Sequence, residues 1–181
     1  MIIKGIIDEC FNDYKKPSIY IAFPTCSFKC DKLNNCQICQ NSSLALEPDI
    51  DISKEDLIQR YLDNPITSAF VLSGLEPFDS IMELYPFIAC IRDKFHCDDD
   101  IVIYTGYTEQ ELIEGHYGNG AHPAEVMVEL YQYICKYPNI YIKFGRFIMN
   151  DEAHEDEVLG VTLASYNQYG KKVSNEDEEK S

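Results

Sequence analysis

The sequence predicts an α/β protein, an open partial (βα) barrel with a mainly parallel sheet, folded as one domain over residues 1–173. Three observations carry that expectation. Apolar strand-like runs alternate with stretches whose apolar residues recur at helical spacing, which implies right-handed crossovers between parallel strands. Only four or five such strands are present, too few to close an eight-stranded barrel. Four of the eight cysteines fall within fourteen residues directly after the first strand, at the carboxyl end where α/β proteins place their chemistry.

Each element has its own local signal. Ser18-Ile-Tyr-Ile-Ala-Phe23 is an apolar strand. Ser53-Lys-Glu-Asp56 has the form of a capping box and opens a helix to about Asp63: the Ser53 hydroxyl can satisfy a free amide, and the acids suit the positive helix end. Residues 67–73 make a second strand. From Asp79 to about Phe95, Ile81, Leu84, Tyr85, Ile88 and Ile91 recur at helical spacing, with Pro86 inside the pattern as a source of a kink. Residues 101–104 are a third strand. Thr108-Glu-Gln-Glu111 is a second capping-box pattern before a short helix. Pro123 begins a helix to about Tyr137. Residues 140–143 form a fourth strand and residues 158–163 a short fifth. Residues 174–181 are read as an acidic disordered tail.

Composition narrows the function. Lys and Arg number 15 against 31 Asp and Glu, so the net charge is 15 − 31 = −16. A nucleic-acid binder needs a basic footprint, and no Lys/Arg-rich run exists here. The acids cluster at Asp98 to Asp100, at Asp151, Glu152, Glu155, Asp156 and Glu157, and at Glu176 to Glu179, a pattern of solvated loops. No stretch approaches the roughly eighteen apolar residues of a membrane span. The first ten residues lack the charged start and long apolar centre of a signal peptide, so a cytoplasmic location is expected. In a reducing cytosol, clustered thiols are metal ligands or redox groups more often than disulfides. Cys90 and Cys135 sit in apolar helical contexts as small core residues; Cys10 and Cys97 are scattered. His96, His116, His122 and His154 have no ligand spacing and read as loop or surface residues.

The cysteine run is Cys26-x3-Cys30-x5-Cys36-x2-Cys39. Three chemistries fit it. A structural zinc site would use all four thiols, making the chain a zinc-stabilised binding protein. A redox pair would use Cys36-Gln-Ile-Cys39. A cluster held by three thiolates would leave one iron with an open position, which makes a metal centre reactive.

The loop resembles the cluster loop of radical S-adenosylmethionine (SAM) enzymes, whose pattern is C-x3-C-x2-C. Cys26-Ser-Phe-Lys-Cys30 keeps the first spacing, whereas eight residues separate Cys30 from Cys39 in place of two. This assigns Cys26, Cys30 and Cys39 as ligands, with Cys36 the alternative to Cys30. Two further segments follow in the family's order. Leu72-Ser-Gly-Leu-Glu-Pro77 resembles the S-G-G-E-P turn that binds the amino group of SAM, with Leu75 in place of the second glycine. Ile103-Tyr-Thr-Gly-Tyr-Thr-Glu-Gln-Glu-Leu112 resembles the Y-T-G-Y-T-x-E-E-L stretch of the small radical SAM proteins that activate anaerobic ribonucleotide reductase. Ile142-Lys-Phe-Gly-Arg-Phe147 resembles that group's V-D-G-x-F strand end, with Lys143 in place of an acid. Residues 161–168 resemble its S-x-N-Q region.

The resemblance spans residues 17–170. It implies a 4Fe-4S cluster and SAM as cofactors, reductive cleavage to a 5′-deoxyadenosyl radical, and a radical SAM oxidoreductase of the glycyl-radical activase type. It also implies that Ser73, Gly74, Leu75, Glu76, Tyr104 and Thr105, with the backbone at Ile38 and Gln40, contact SAM. Glu76 would take the methionine ammonium. The implied partners are a large glycyl-radical protein and a flavodoxin- or ferredoxin-like electron donor. A radical SAM enzyme acting on a peptide or small molecule is the alternative within the same chemistry.

Overall fold

The structure is a computed structural model that describes residues 1–115 and 123–174. The expectations for His116, His122 and the tail beyond Ser174 lie outside the described residues. In chain order the elements are β1 (Ile2–Ile3), β2 (Gly5–Cys10), β3 (Ser18–Phe23), α1 (Lys29–Asn34), β4 (Ile50–Asp51), α2 (Lys54–Leu62), β5 (Ala69–Gly74), α3 (Ile81–Ala89), β6 (Asp100–Tyr104), α4 (Glu109–Glu114), α5 (Ala124–Ile134), β7 (Ile140–Phe144), β8 (His154–Asp156), β9 (Val161–Leu163) and β10 (Tyr169–Lys172).

The main sheet has the order β10-β7-β6-β5-β3-β2. Its four central strands, β3, β5, β6 and β7, run parallel in sequence order, while β2 and β10 pair antiparallel at the two edges. The molecule is therefore α/β with a mixed sheet. The antiparallel edges were not anticipated from the sequence. The expected fifth strand at 158–163 is also corrected: only Val161–Leu163 is extended, and it pairs with β8 as a separate hairpin. Its place at the sheet edge is taken by β10, joined to β7 from Tyr169 opposite Phe144 to Lys172 opposite Tyr141.

The strands are buried on both faces, as a central parallel sheet requires. On one face Ile19, Ile21, Phe70, Leu72, Ile101, Ile103, Ile140 and Ile142 meet apolar residues of the crossover helices, among them Leu57, Leu84, Phe87, Leu130 and Ile134. On the other, Ala69, Val71 and Val102 pack under Tyr14, Leu159 and Leu163. Successive crossovers thus pack on the same face, which winds the sheet in one direction and keeps the strand order sequential.

The cap signals act as expected. Ser53 Oγ accepts the Asp56 amide at 2.9 Å, opening α2. Thr108 and Glu111 close a full capping box on α4, and Gly115, at φ 70, ends it. The helical run at 79–95 is broken into pieces: a 3₁₀ turn at Pro77–Asp79, then α3 with Pro86 inside it, then a wide π turn at Cys90–Lys94.

Candidate functional site

The carboxyl ends of β3, β5, β6 and β7 converge on a cavity of about 310 Å³, at the small end of the roughly 300–1,000 Å³ of ligand pockets. The parallel register dictates this place, because each strand delivers its last residue and the following loop to the same rim. Cys26, Cys30, Cys39, Gln40, Ser73, Gly74, Leu75, Glu76, Tyr104 and Thr105 all line the cavity.

Gly74 makes the closest approach. At φ 83 it adopts a conformation that favours glycine, and a Cβ there would stand 2.6 Å from the Ala22 Cα. That contact presses the end of β5 onto the end of β3. The Leu75 amide then donates to the Phe23 carbonyl (3.2 Å) and the Glu76 amide to the Thr25 carbonyl (2.7 Å), while Asn41 Nδ2 donates to the Gly74 carbonyl at 2.6 Å. These bonds tie the cysteine loop to the Ser73–Glu76 turn. Leu75 is 8% exposed, so the turn accommodates its side chain by burying it.

Glu76 is the electrostatic centre of the rim. Its carboxylate accepts Thr105 Oγ1 at 2.7 Å, the Gly106 amide at 2.8 Å and the Phe78 amide at 3.2 Å. A carboxylate offers about four acceptor sites, so roughly one is left for a ligand. Burial pushes its pKa up to about 7, and the Asp79 carboxylate adds to the rise. A Cβ at Gly106 would lie 3.5 Å from Glu76 Oε2 and 3.9 Å from Cys30 Sγ, so this carboxylate and the second thiol share one corner. Asp79 anchors the loop from behind, accepting the Ser27 amide at 2.7 Å and the Tyr107 hydroxyl at 2.5 Å.

The three thiols surround the cavity. Burial pushes Cys26 up to about 12 and raises Cys30 and Cys39 as well. Each sulfur nevertheless has backbone amides aimed at it: Phe28 on Cys26, Phe147 on Cys30, and Asn41 and Ser42 on Cys39. Such donors favour a thiolate or a cluster-bound sulfur, and burial disfavours the anion only until a cation is supplied. Cys36 is exposed and takes no part in the cavity lining. Among the described residues no three His, Cys, Asp or Glu side chains gather around a single ion. Three cysteine thiols on one cavity are a donor set of the kind that holds an iron-sulfur cluster.

A family model described as a 4Fe-4S single cluster domain matches residues 18–159. The chain belongs to the 4Fe-4S single cluster domain family. The matched span runs from the start of β3 through the cysteine loop, the Gly74 turn and the four parallel strands, so this is an iron-sulfur, metal-binding protein. No curated protein and no solved structure matches the chain.

Of the residues expected at the site, Ile38 is not part of the cavity lining; its amide donates to Asp31 Oδ1 at 2.9 Å. Several lining residues carried no site role in the sequence. Lys143, at the end of β7, is 8% exposed and donates to the Gly145 carbonyl at 2.6 Å; burial lowers its pKa to about 8, opposed by the charges of Glu76 and Cys30. Asp13, Tyr20, Phe147 and Gln168 also line the cavity. Lys143 and Phe147 were findable, since both lie where a parallel strand ends; Asp13 lies in the loop that joins the antiparallel pair β2 and β3. No helix among the described residues is long and apolar enough to cross a membrane.

Proposed function

We propose that this chain is a radical SAM enzyme of the glycyl-radical activase type, with a 4Fe-4S cluster held by Cys26, Cys30 and Cys39. The observation that carries the reading is the meeting of those three thiols with the Ser73–Glu76 turn in one cavity at the ends of parallel strands. The sequential strand order, with crossovers on one face, is what an open partial barrel of the radical SAM type would use.

When bound, the cluster and SAM supply a low-potential electron and a sulfonium carbon–sulfur bond whose reductive cleavage gives methionine and a 5′-deoxyadenosyl radical. The protein's part is to bind, orient and exclude. Cys26, Cys30 and Cys39 would hold the cluster as thiolates. Gly74 admits a ligand close to the backbone, and Glu76 offers its remaining acceptor site to an ammonium group. Tyr104, held by its hydroxyl on the Asp13 carbonyl at 2.7 Å, lines the cavity with Tyr20 and Phe147.

The substrate we assign is a glycine loop on a large partner protein, the class that the resemblance of Ile103–Leu112 implies. A flavodoxin- or ferredoxin-like donor would supply the electron in the cytoplasm. Anaerobic reconstitution with iron and sulfide, dithionite reduction and chromatographic detection of 5′-deoxyadenosine from added SAM test the reading. The expected result is product that disappears with Cys26→Ala, Cys30→Ala or Cys39→Ala. A colourless protein that holds zinc and leaves SAM intact would overturn it.

A further inference from the structure

Eight residues separate Cys30 from Cys39, and the structure shows how the excess is folded away. Lys29–Asn34 form α1, and Asn35, at φ 51, reverses the chain. Asn34 Nδ2 donates to the Cys30 carbonyl at 2.8 Å, and the Cys36 amide donates to the Asp31 carbonyl at 3.3 Å. The decisive contact is the Asp31 side chain. Its Oδ1 accepts the amides of both Ile38 (2.9 Å) and Cys39 (2.8 Å). One carboxylate oxygen thus gathers two successive amides across the loop. The chain returns with Cys39 at the cavity beside Cys30, and Cys36 is left exposed outside it.

We propose that Asp31 is a positioning residue for the cluster: its carboxylate sets the third thiol, and its charge lies beside that thiol's backbone. The proposal rests on the reading that Cys26, Cys30 and Cys39 hold the cluster. The physical need is specific. Two amides pointing the same way form a concave donor site that suits an anion, and bonds to a charged acceptor are the stronger kind. Asp31 is the side chain that holds both amides, so without it the return of the chain after α1 loses the anchor that fixes where the sulfur falls. A negative charge at this position also opposes the addition of an electron to the cluster, so it acts on the potential as well as on the geometry.

Full-length wild type, Asp31→Ala, Asp31→Asn and Cys39→Ala chains, all reconstituted anaerobically, decide the matter. Two quantities are read, iron retention against a chelator and the cluster's midpoint potential in a dithionite titration. Removing an outer partner of a metal ligand costs roughly 10-fold or more in metal affinity, and that loss is expected for Asp31→Ala. Asp31→Asn keeps Oδ1 as acceptor for both amides without the charge, so it should retain iron better than Asp31→Ala does while its cluster is reduced at a higher potential. Wild-type retention in Asp31→Ala overturns the proposal, as does an Asp31→Asn cluster that is lost or has an unshifted potential. If Asp31→Ala does not fold, the Asp31→Asn potential still decides. Cys39→Ala separates the two layers: full iron and an unchanged spectrum there would sink the ligand assignment itself, whereas its loss beside an intact Asp31→Ala cluster would sink the positioning role alone.

Discussion

Glu76 and Lys143 show how depth in the fold sets the chemistry of single side chains. Both lie on the cavity rim and both are nearly covered, with 7% and 8% exposure. Water is excluded from each, so the neutral form gains: the acid is held up to about 7 and the amine down to about 8, burial being the main cause in both. For Glu76 this has a consequence for stability. Its folded pKa lies above the ordinary value of 4.5, so the folded state holds a proton that the unfolded state has released. The associated stability is complete below about pH 4.5 and is lost as pH rises through about 7, by about 3 kcal/mol in all. The apoprotein's melting temperature should fall across that window. In Glu76→Gln, which has no proton to lose, the slope should flatten. A melting curve series in which the two chains fall in parallel would contradict the account.

At the scale of the element, the strand-to-loop turns are built from specific backbone requirements. The β5 turn needs Gly74 both for its φ of 83 and for the 2.6 Å approach a Cβ would make to Ala22. A side chain there costs about 1–3 kcal/mol for the conformation alone, and the clash with a backbone atom adds to it. Gly74→Ala should therefore lower chemical-denaturation stability by at least that amount. The turn after β6 is secured differently. Thr108 accepts the Glu111 amide while Glu111 returns a carboxylate to the Thr108 amide at 2.8 Å. Arg146 holds the other oxygen of Glu111 at 2.8 Å. Thr108→Ala removes half of this box and should cost about 1 kcal/mol of stability, read as a shift in the denaturation midpoint with an unchanged slope.

For the whole molecule, the winding of the sheet is what makes a site possible. Four parallel strands, in sequence order, carry the residues of distant segments to one edge, from Cys26 after β3 to Phe147 after β7. The crossover helices cover one face through Leu57, Leu84, Phe87, Leu130 and Ile134, which leaves the rim to the loops. A group bound there touches the products of several strands and must stabilise them together. Binding at 100 times its dissociation constant contributes about 2.7 kcal/mol, which for a chain of this size is about 5–10 °C in melting temperature. Reconstituted protein should melt higher by about that margin, and removal of iron by a chelator under anaerobic conditions should return it to the apo value. Equal melting temperatures for the two forms would mean that the cluster is not bound by the folded rim.

Much of this was decided locally and so was legible in the chain. The apolar runs specify β3, β5, β6 and β7 because a strand buried on both faces has no polar alternation to hide it. Ser53 and Thr108 mark helix starts because capping is a contact over three residues. The thiols could be singled out because their density has no packing explanation. What the sequence left open was which of them meet. The edge strands β2 and β10 carry weak local signals, and the burial of Lys143 and the outward place of Cys36 depend on contacts between segments far apart or folded back on themselves. A chain determines by itself what its neighbouring residues can do to one another. Which loops share a rim is set only when the strands take their register, because burial, close approach and acceptor geometry are properties of the packed whole.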